Sequence, residues 1–340
     1  MGLSISDIIP KKEISLEDLN GKIVAVDSFN VLYQFITTIR MMDGRPLMDS
    51  KGNVTSHLSG LFYRTTNMMS RGLKPVFVFD GKAPELKAKT QEKRMEVKQE
   101  AIEMMKAAHS EAERAKYASR ISFLTHDMIE ESKELIEALG LPVIQAPSEG
   151  ESQAAYLVDN GDAFAVASQD YDSLLFGATR LIQNLTLSKT RKLPSGLSVA
   201  INPQMIELKD VLKELGISRE QLICLGILVG TDYNPKGIKG IGQKTALKIV
   251  KEHKKPEKIF EEVAKNHEMD FDWKVIFNLF MNPDVVKKYE IKFKPIDKDK
   301  VKEIMSGRHE FSEERIMNAI DRAIEMKEGK KQKSLKKFMK

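Results

Sequence analysis

Cysteine is almost missing from this chain: Cys224 is the only one in 340 residues. Disulfides within the chain are therefore excluded, and a lone Cys inside the apolar segment LICLGILVG reads as a core hydrophobe. A reducing, intracellular setting is the expectation that follows. Histidine is scarce as well. The six are scattered, without HxxxH spacing or Cys partners, which argues against zinc chemistry. No apolar run approaches the length of a membrane span, and the opening MGLSISDIIPKKE lacks the basic-then-apolar order of a signal peptide.

Charge is abundant, and it is unevenly placed. The formal net charge is +5, yet residues 327–340, KEGKKQKSLKKFMK, hold seven lysines against one glutamate. The rest of the chain is close to neutral, so the picture is a mixed body with a basic tail and local basic patches. That distribution points weakly toward nucleic acid.

The acids carry more information. The stretch QAPSEGESQAAYLVDNGDAFAVASQDYDSLLFG places Glu149 and Glu151, then Asp170 and Asp172, at i, i+2 spacing around a short apolar run, Ala163 to Ala167. Such a run fits a buried strand, with the second pair beyond its carboxyl end. Helix caps are the competing explanation. Ser148 with Glu151 fits a capping box, and Asp170 or Asp172 could cap a following helix. Two further apolar runs, KIVAV and PVFVF, also end in acids, Asp27 and Asp80. Their alternation with helical segments argues for a parallel α/β sheet, whose carboxyl edge is the usual place for a site. A cap accounts for any one of these aspartates but gives no reason for an acid at each strand end. Asp232, after the helix-like CLGILVG, adds a seventh candidate. Carboxylates brought together in this way repel unless cations lie between them. Hard divalent cations such as Mg²⁺ prefer oxygen ligands, and two ions about 3.5–4 Å apart can drive an in-line phosphoryl displacement. No Ser–His–Asp or Cys–His arrangement competes, so phosphodiester hydrolysis is the reaction inferred.

Residues 82–138 are rich in Lys, Glu, Arg, Ala and Met and read as solvated helices. They join two acidic strand ends, where a helical cap or gate would stand, and Lys87, Lys93 and Arg94 begin that bridge. Lys87 and Arg94 could offset charge on a scissile phosphate. After Asp232, NPKGIKGIGQKTALKIVKEH sets Gly237, Gly240 and Gly242 ahead of an amphipathic helix carrying Lys244, Lys248 and Lys251. With no strand before it, this is a helix-hairpin-helix pattern that holds a phosphate on backbone amides; a plain tight turn is the alternative. Residues 252–326 offer amphipathic helices, with Trp273 read as core. The last fourteen residues read either as a lysine-rich disordered tail or as a short helix presenting Gln332, Leu335 and Phe338 at steps of three, a groove anchor.

The words VAVDSFNVLYQF, KPVFVFDGKAPELK, QAPSEGESQAAYL, ASQDYDSLLFGA and LVGTDYNPKGIKGIGQKTAL, in this order, resemble the XPG-type structure-specific 5′ nucleases, in particular the archaeal-type flap endonucleases. The resemblance implies a mostly parallel α/β sheet flanked by helices, a PIN-like nuclease core, with a helical arch and a C-terminal helix-hairpin-helix region. It implies one nuclease domain over residues 1–326: core parts at 1–81 and 139–232, the arch at 82–138, hairpin and terminal helices at 233–326, then a flexible tail at 327–340. By resemblance, Asp27, Asp80, Glu149, Glu151, Asp170, Asp172 and Asp232 hold two Mg²⁺ ions, directly or through water. Lys87 and Arg94 match basic residues at the base of the arch, and Tyr33 an aromatic that stacks on a base near the cut. Gly237, Ile238 and Ile241 match a hairpin whose carbonyls hold K⁺ against duplex DNA. The implied activity is cleavage of 5′ flaps, with 5′-3′ exonuclease action as a lesser mode, in replication and repair. The implied partners are branched DNA and the sliding clamp PCNA, with no membrane, and the protein is expected to be a monomer inside the cell, in the cytoplasm or nucleoid of an archaeon or the nucleus of a eukaryote. The clamp motif departs from the family, ending in Phe338–Met339 where two aromatics are usual. A non-catalytic DNA-binding adaptor and a relative cutting bubbles or four-way junctions are the other readings of the same fold.

Overall fold

The structure, a computed structural model, describes residues 3, 5–41, 44–87, 124–186, 190–192 and 198–338, with scattered positions between 96 and 110. The strands are β1 (Lys12–Glu13), β2 (Ile23–Asp27), β3 (Lys74–Phe79), β4 (Val143–Gln145), β5 (Ala165–Ala167), β6 (Arg180–Gln183), β7 (Thr190–Lys192), β8 (Ser198–Ala200) and β9 (Gln204–Glu207). Seven of them form one sheet in the order β1-β9-β6-β5-β2-β3-β4, while β7 and β8 pair separately. From β6 to β4 every neighbour is parallel; β9 joins β6 antiparallel, and β1 joins β9 the same way. The expected mostly parallel sheet is therefore present.

Its central strands are apolar because both faces are covered. Alternate residues face opposite sides. Ala25, Val76, Val78 and Val166 belong to one core, and Val24, Val26, Phe77 and Phe79 to the other, all of them buried.

The helices are α1 (Ser28–Thr38), α2 (Ser56–Ser70), α3 (His126–Ala138), α4 (Gly150–Asp159), α5 (Asp172–Leu175), α6 (Leu208–Leu215), α7 (Arg219–Val229), α8 (Gln243–His253), α9 (Pro256–Ala264), α10 (Trp273–Met281), α11 (Lys298–Lys302) and α12 (Glu313–Phe338). One core packs α4 and α7 against the sheet; the other packs α1, α2, α3 and the start of α12. Cys224 is fully buried in α7, as its apolar neighbours predict, and Trp273 stacks on Phe260 at 4.3 Å. Between α10 and α11 the chain forms neither helix nor strand. Gln153 pins it with both ends of its amide, donating to the Val286 carbonyl at 3.0 Å and accepting from its N–H at 2.7 Å.

Most of the expected arch, Arg94 included, lies outside the described residues. What is described there is a helical turn, Glu85–Lys87, and α3. At the other end, α12 runs without a break past residue 326 to Phe338. Of the two expectations for the tail, disorder or a short helix, α12 has the helical form, as a continuation of the helix that precedes it. Gln332, Leu335 and Phe338 fall on α12, and Met339 lies outside the described residues.

Candidate active site

Because β2, β3 and β5 are parallel neighbours, with Val26 opposite both Phe77 and Ala167, their carboxyl ends open on one edge. Asp27 closes β2, Asp80 follows β3, and the segment 168–172 follows β5. The sheet thus gathers the aspartates that the sequence places after its three central strands.

The capping explanation fails at both paired acids. Helix α4 begins at Gly150 with Glu149 in the cap position, and no side chain caps it. Ser148 instead turns its carbonyl to the Gly81 N–H. Helix α5 starts at Asp172 behind Tyr171, again with no side-chain cap. Only Asp27 serves as a cap, accepting the Asn30 N–H at 3.1 Å. The carboxylates of Glu149, Glu151 and Asp172 are therefore left for the space between the loops.

Neutral groups hold them there. Ser168 Oγ lies 3.2 Å from both Asp27 Oδ2 and Glu151 Oε1, and accepts the Asp170 N–H at 3.3 Å. Asn30 donates its amide to Asp170 Oδ2 at 2.9 Å. The Gly150 N–H donates to Asp80 Oδ1 at 2.7 Å, and a Cβ at that glycine would sit 2.6 Å from the same oxygen. Tyr233 donates its hydroxyl to Glu149 Oε2. Asn234 fixes the turn around Asp232, accepting from Thr231 Oγ1 at 2.7 Å and donating to the Ile227 carbonyl at 2.7 Å. Sequence reasoning missed Asn30, Ser168, Tyr233 and Asn234. All four lie inside the quoted motifs, but Asn30 and Tyr233 act through contacts far apart in the chain, which no local spacing reveals.

Electrostatically the cluster is costly. Burial, then the charge of Asp80, pushes Asp27 up to about 7. Burial and the charges of Asp232 and Asp170 push Asp172 up to about 7. Burial raises Asp80 to about 6, and burial with Asp172 raises Glu151 well above the carboxylate range. Asp172 Oδ1 is buried with no hydrogen-bond partner among the described residues. Among the described residues one positive charge enters this space: Lys87 Nζ lies 2.5 Å from Glu149 Oε1 and 3.3 Å from Asp232 Oδ2, and 5.3 Å from the Tyr233 ring centre. Burial alone would lower its pKa, but Glu149 and Asp232 raise it, so the ammonium stays charged.

Among the described residues no three His, Cys, Asp or Glu side chains close on a single point as a metal site would. The donor chemistry nonetheless fits hard divalent cations: only carboxylate oxygens, several raised in pKa by burial and by one another, one of them without a hydrogen-bond partner among the described residues. A cleft of about 500 Å³ opens beside Glu149 and Tyr233, with Lys82, Pro84 and Leu279 among its walls.

The hairpin lies after α7. Gly237, at φ 53°, approaches so closely that a Cβ would sit 2.3 Å from the Val229 carbonyl oxygen, so glycine is required. Ile238 and Ile241 are buried; the Ile238 N–H donates to Leu228 O at 2.8 Å, and the Ile241 N–H to Ile238 O at 3.0 Å. Gly240 is a second left-handed position, and Gly242 caps α8. Ala246 and Val250 of α8 face inward, leaving Lys244, Lys248 and Lys251 exposed. Tyr33 of α1 is 37% exposed.

A buried carboxylate edge on a parallel sheet, with a lysine inside it and a basic hairpin beside it, defines a metal-assisted nuclease of nucleic acids. The chain matches the XPG N-terminal domain over residues 3–101 and the XPG I-region over residues 140–232. It is 51% identical to Flap endonuclease 1 of Hyperthermus butylicus over 330 residues, 95% of this chain and 94% of that protein. It is 50% identical to Flap endonuclease 1 of Pyrococcus furiosus over the whole of both chains. Its fold superposes on flap endonuclease-1 from Methanococcus jannaschii with a TM-score of 0.77 at 40% identity, covering 97% of this chain and 100% of that one. The chain belongs to the XPG family, among the archaeal-type flap endonucleases. It is a nuclease of a family that works with divalent metal.

Proposed function

We propose that the protein hydrolyses DNA phosphodiesters at the single-strand/duplex junction of 5′ flaps, with 5′-3′ exonuclease action as a lesser mode, in replication and repair. The observation that carries this reading is the edge of seven acids, with four of them raised in pKa and Lys87 among them. Asp27, Asp80, Glu149, Glu151, Asp170, Asp172 and Asp232 would hold two Mg²⁺ ions. When bound, these would supply an activated water and charge stabilisation for the leaving oxygen. Lys87, joined by Arg94, would give its positive charge to the scissile phosphate, leaving Glu149 and Asp232 to their cations.

Around this centre, exposed Tyr33 would stack on a base next to the cut. Exposed Lys244 would contact duplex phosphates, with Gly240 and Gly242 allowing close backbone approach. The Gly237, Ile238 and Ile241 carbonyls would hold K⁺ there. Gln332, Leu335, Phe338 and Met339 would dock the sliding clamp PCNA. Among the described residues no helix is long and apolar enough to cross a membrane. We infer a monomer acting on branched DNA inside the cell, in the cytoplasm or nucleoid of an archaeon, as the organisms of its relatives suggest.

An end-labelled double-flap DNA, with and without Mg²⁺, tests the reading beside bubble and four-way-junction controls. Rapid Mg²⁺-dependent cutting at the flap base with the controls spared is expected. Cutting of the controls would move the specificity to a relative, and binding without cutting in any metal would leave only an adaptor.

A further inference from the structure

We propose that Asn30 is a positioning residue that fixes the distance between the Asp27 and Asp170 carboxylates. The proposal rests on reading the acidic edge as a divalent-cation site. Asn30 is the third residue of α1, and its backbone N–H is held by Asp27 Oδ1 at 3.1 Å. Its side chain crosses to the neighbouring strand end. There Nδ2 donates to Asp170 Oδ2 at 2.9 Å, and Oδ1 accepts the Gln169 N–H at 3.3 Å. The two partners are unlike, a carboxylate and an amide N–H, so the amide fits in one orientation only. The pairing of β2 with β5 stops at Val26 and Ala167, and Asp170 stands three residues beyond it. Asn30 thus carries the connection between the two chains past the end of the ladder, to the carboxylates themselves.

The choice of a neutral donor matters. An arginine or lysine here would cancel the charge that attracts cations, whereas an amide orients the carboxylate and leaves its charge intact. Groups that orient metal-binding side chains in this way typically set metal affinity by about 10–100-fold.

The test replaces Asn30 with leucine, close in shape and unable to donate or accept, and with serine, which is polar but too short to reach. Mn²⁺ binding without DNA is measured by electron paramagnetic resonance, and kcat and KM on a flap substrate are measured against Mg²⁺ concentration. Both variants are expected to bind Mn²⁺ about 10-fold or more weakly, to keep the wild-type KM for DNA, and to regain kcat as Mg²⁺ is raised. Unchanged Mn²⁺ affinity in a folded variant overturns the proposal, and so does a parallel fall in KM performance and melting temperature that Mg²⁺ does not repair. Asp170→Ala separates the two levels of inference. If it too leaves Mn²⁺ binding intact, the reading of the acidic edge fails; if it weakens binding and the Asn30 variants do not, only the role of Asn30 fails.

Discussion

Removing one buried acid from this edge should make the fold more stable while ending its chemistry, and Asp172→Asn is the change that shows it best. Asp172 is 3% exposed and its Oδ1 has no hydrogen-bond partner among the described residues, so the ionised group gains little from its surroundings. Its pKa is raised from 3.8 to about 7. Between those values the folded protein holds a proton that the unfolded chain has released. Stability from this group is therefore full below pH 3.8 and is lost as pH rises through about 7. At about 1.4 kcal/mol per pKa unit, the penalty reaches about 4 kcal/mol at pH 8 and about 1–2 kcal/mol at pH 5. Asparagine has no such titration. With an unfolding entropy of about 2 cal/mol/K per residue, the whole chain changes its melting temperature by about 1–2 °C per kcal/mol. Asp172→Asn should then melt about 6 °C above the parent at pH 8 in EDTA, and about 2 °C above it at pH 5. Circular dichroism melts at the two pH values measure both differences. A gain of equal size at both, or a loss at pH 8, would refute the electrostatic account of the site.

Asp170→Ala should abolish cleavage while binding of flap DNA is retained; a comparable loss of binding in a gel-shift titration would count against a role confined to the chemistry. Lys244→Ala should weaken duplex-bearing substrates about equally whatever their sequence and reduce the slope of log K against log salt by about 1. A loss that depends on base sequence would remove the phosphate assignment. Gly150→Ala should cost most of the activity, because the added carbon would displace the Asp80 carboxylate it nearly touches. Wild-type rates in that variant would show that Asp80 need not stand where Gly150 holds it.

The sequence made the edge of the site visible because its strands are short, apolar and each followed by an acid. Asp27, Asp80 and Asp170 fall on one side of a sheet from the sequence alone, since parallel strands share one carboxyl edge. Glu149 and Glu151 were ambiguous with a helix cap, and only the geometry of α4 separates the two. The uncharged frame was not legible. Asn30 and Asp170 lie 140 positions apart, and Tyr233 reaches Glu149 across 84. Neither pairing leaves a trace in periodicity. The two-residue strand β1 was equally hidden, because Lys12 and Glu13 are exposed and carry no alternation. The continuity of α12 into the tail has a different cause: the helix enters the tail already nucleated, and propagation costs much less than starting a helix.

Lys87 brings the opposite charge to this edge. Its ammonium is the one basic group within ion-pair distance of these acids among the described residues, paired with both Glu149 and Asp232. It stands on the helical turn Glu85–Lys87, outside the sheet that carries the acids. Lys87→Ala strips a partner from two carboxylates that stay where they are, and breaking such a pair costs about 3–5 kcal/mol when the remaining charge is well buried. Its side chain is 18% exposed, so the lower end of that range applies. In EDTA at pH 8 Lys87→Ala should therefore melt below the parent, just where Asp172→Asn melts above it. Both should lose cleavage, Lys87→Ala by about 10²–10³-fold in kcat if its charge reaches the scissile phosphate. A lysine serving only as structural ballast would show the stability loss without the rate loss once Mg²⁺ is supplied. A lysine serving only the phosphate would show the rate loss with no change in EDTA. The double variant decides how the charges interact: if Lys87 and Asp172 act on one electrostatic centre, their effects on stability will not add.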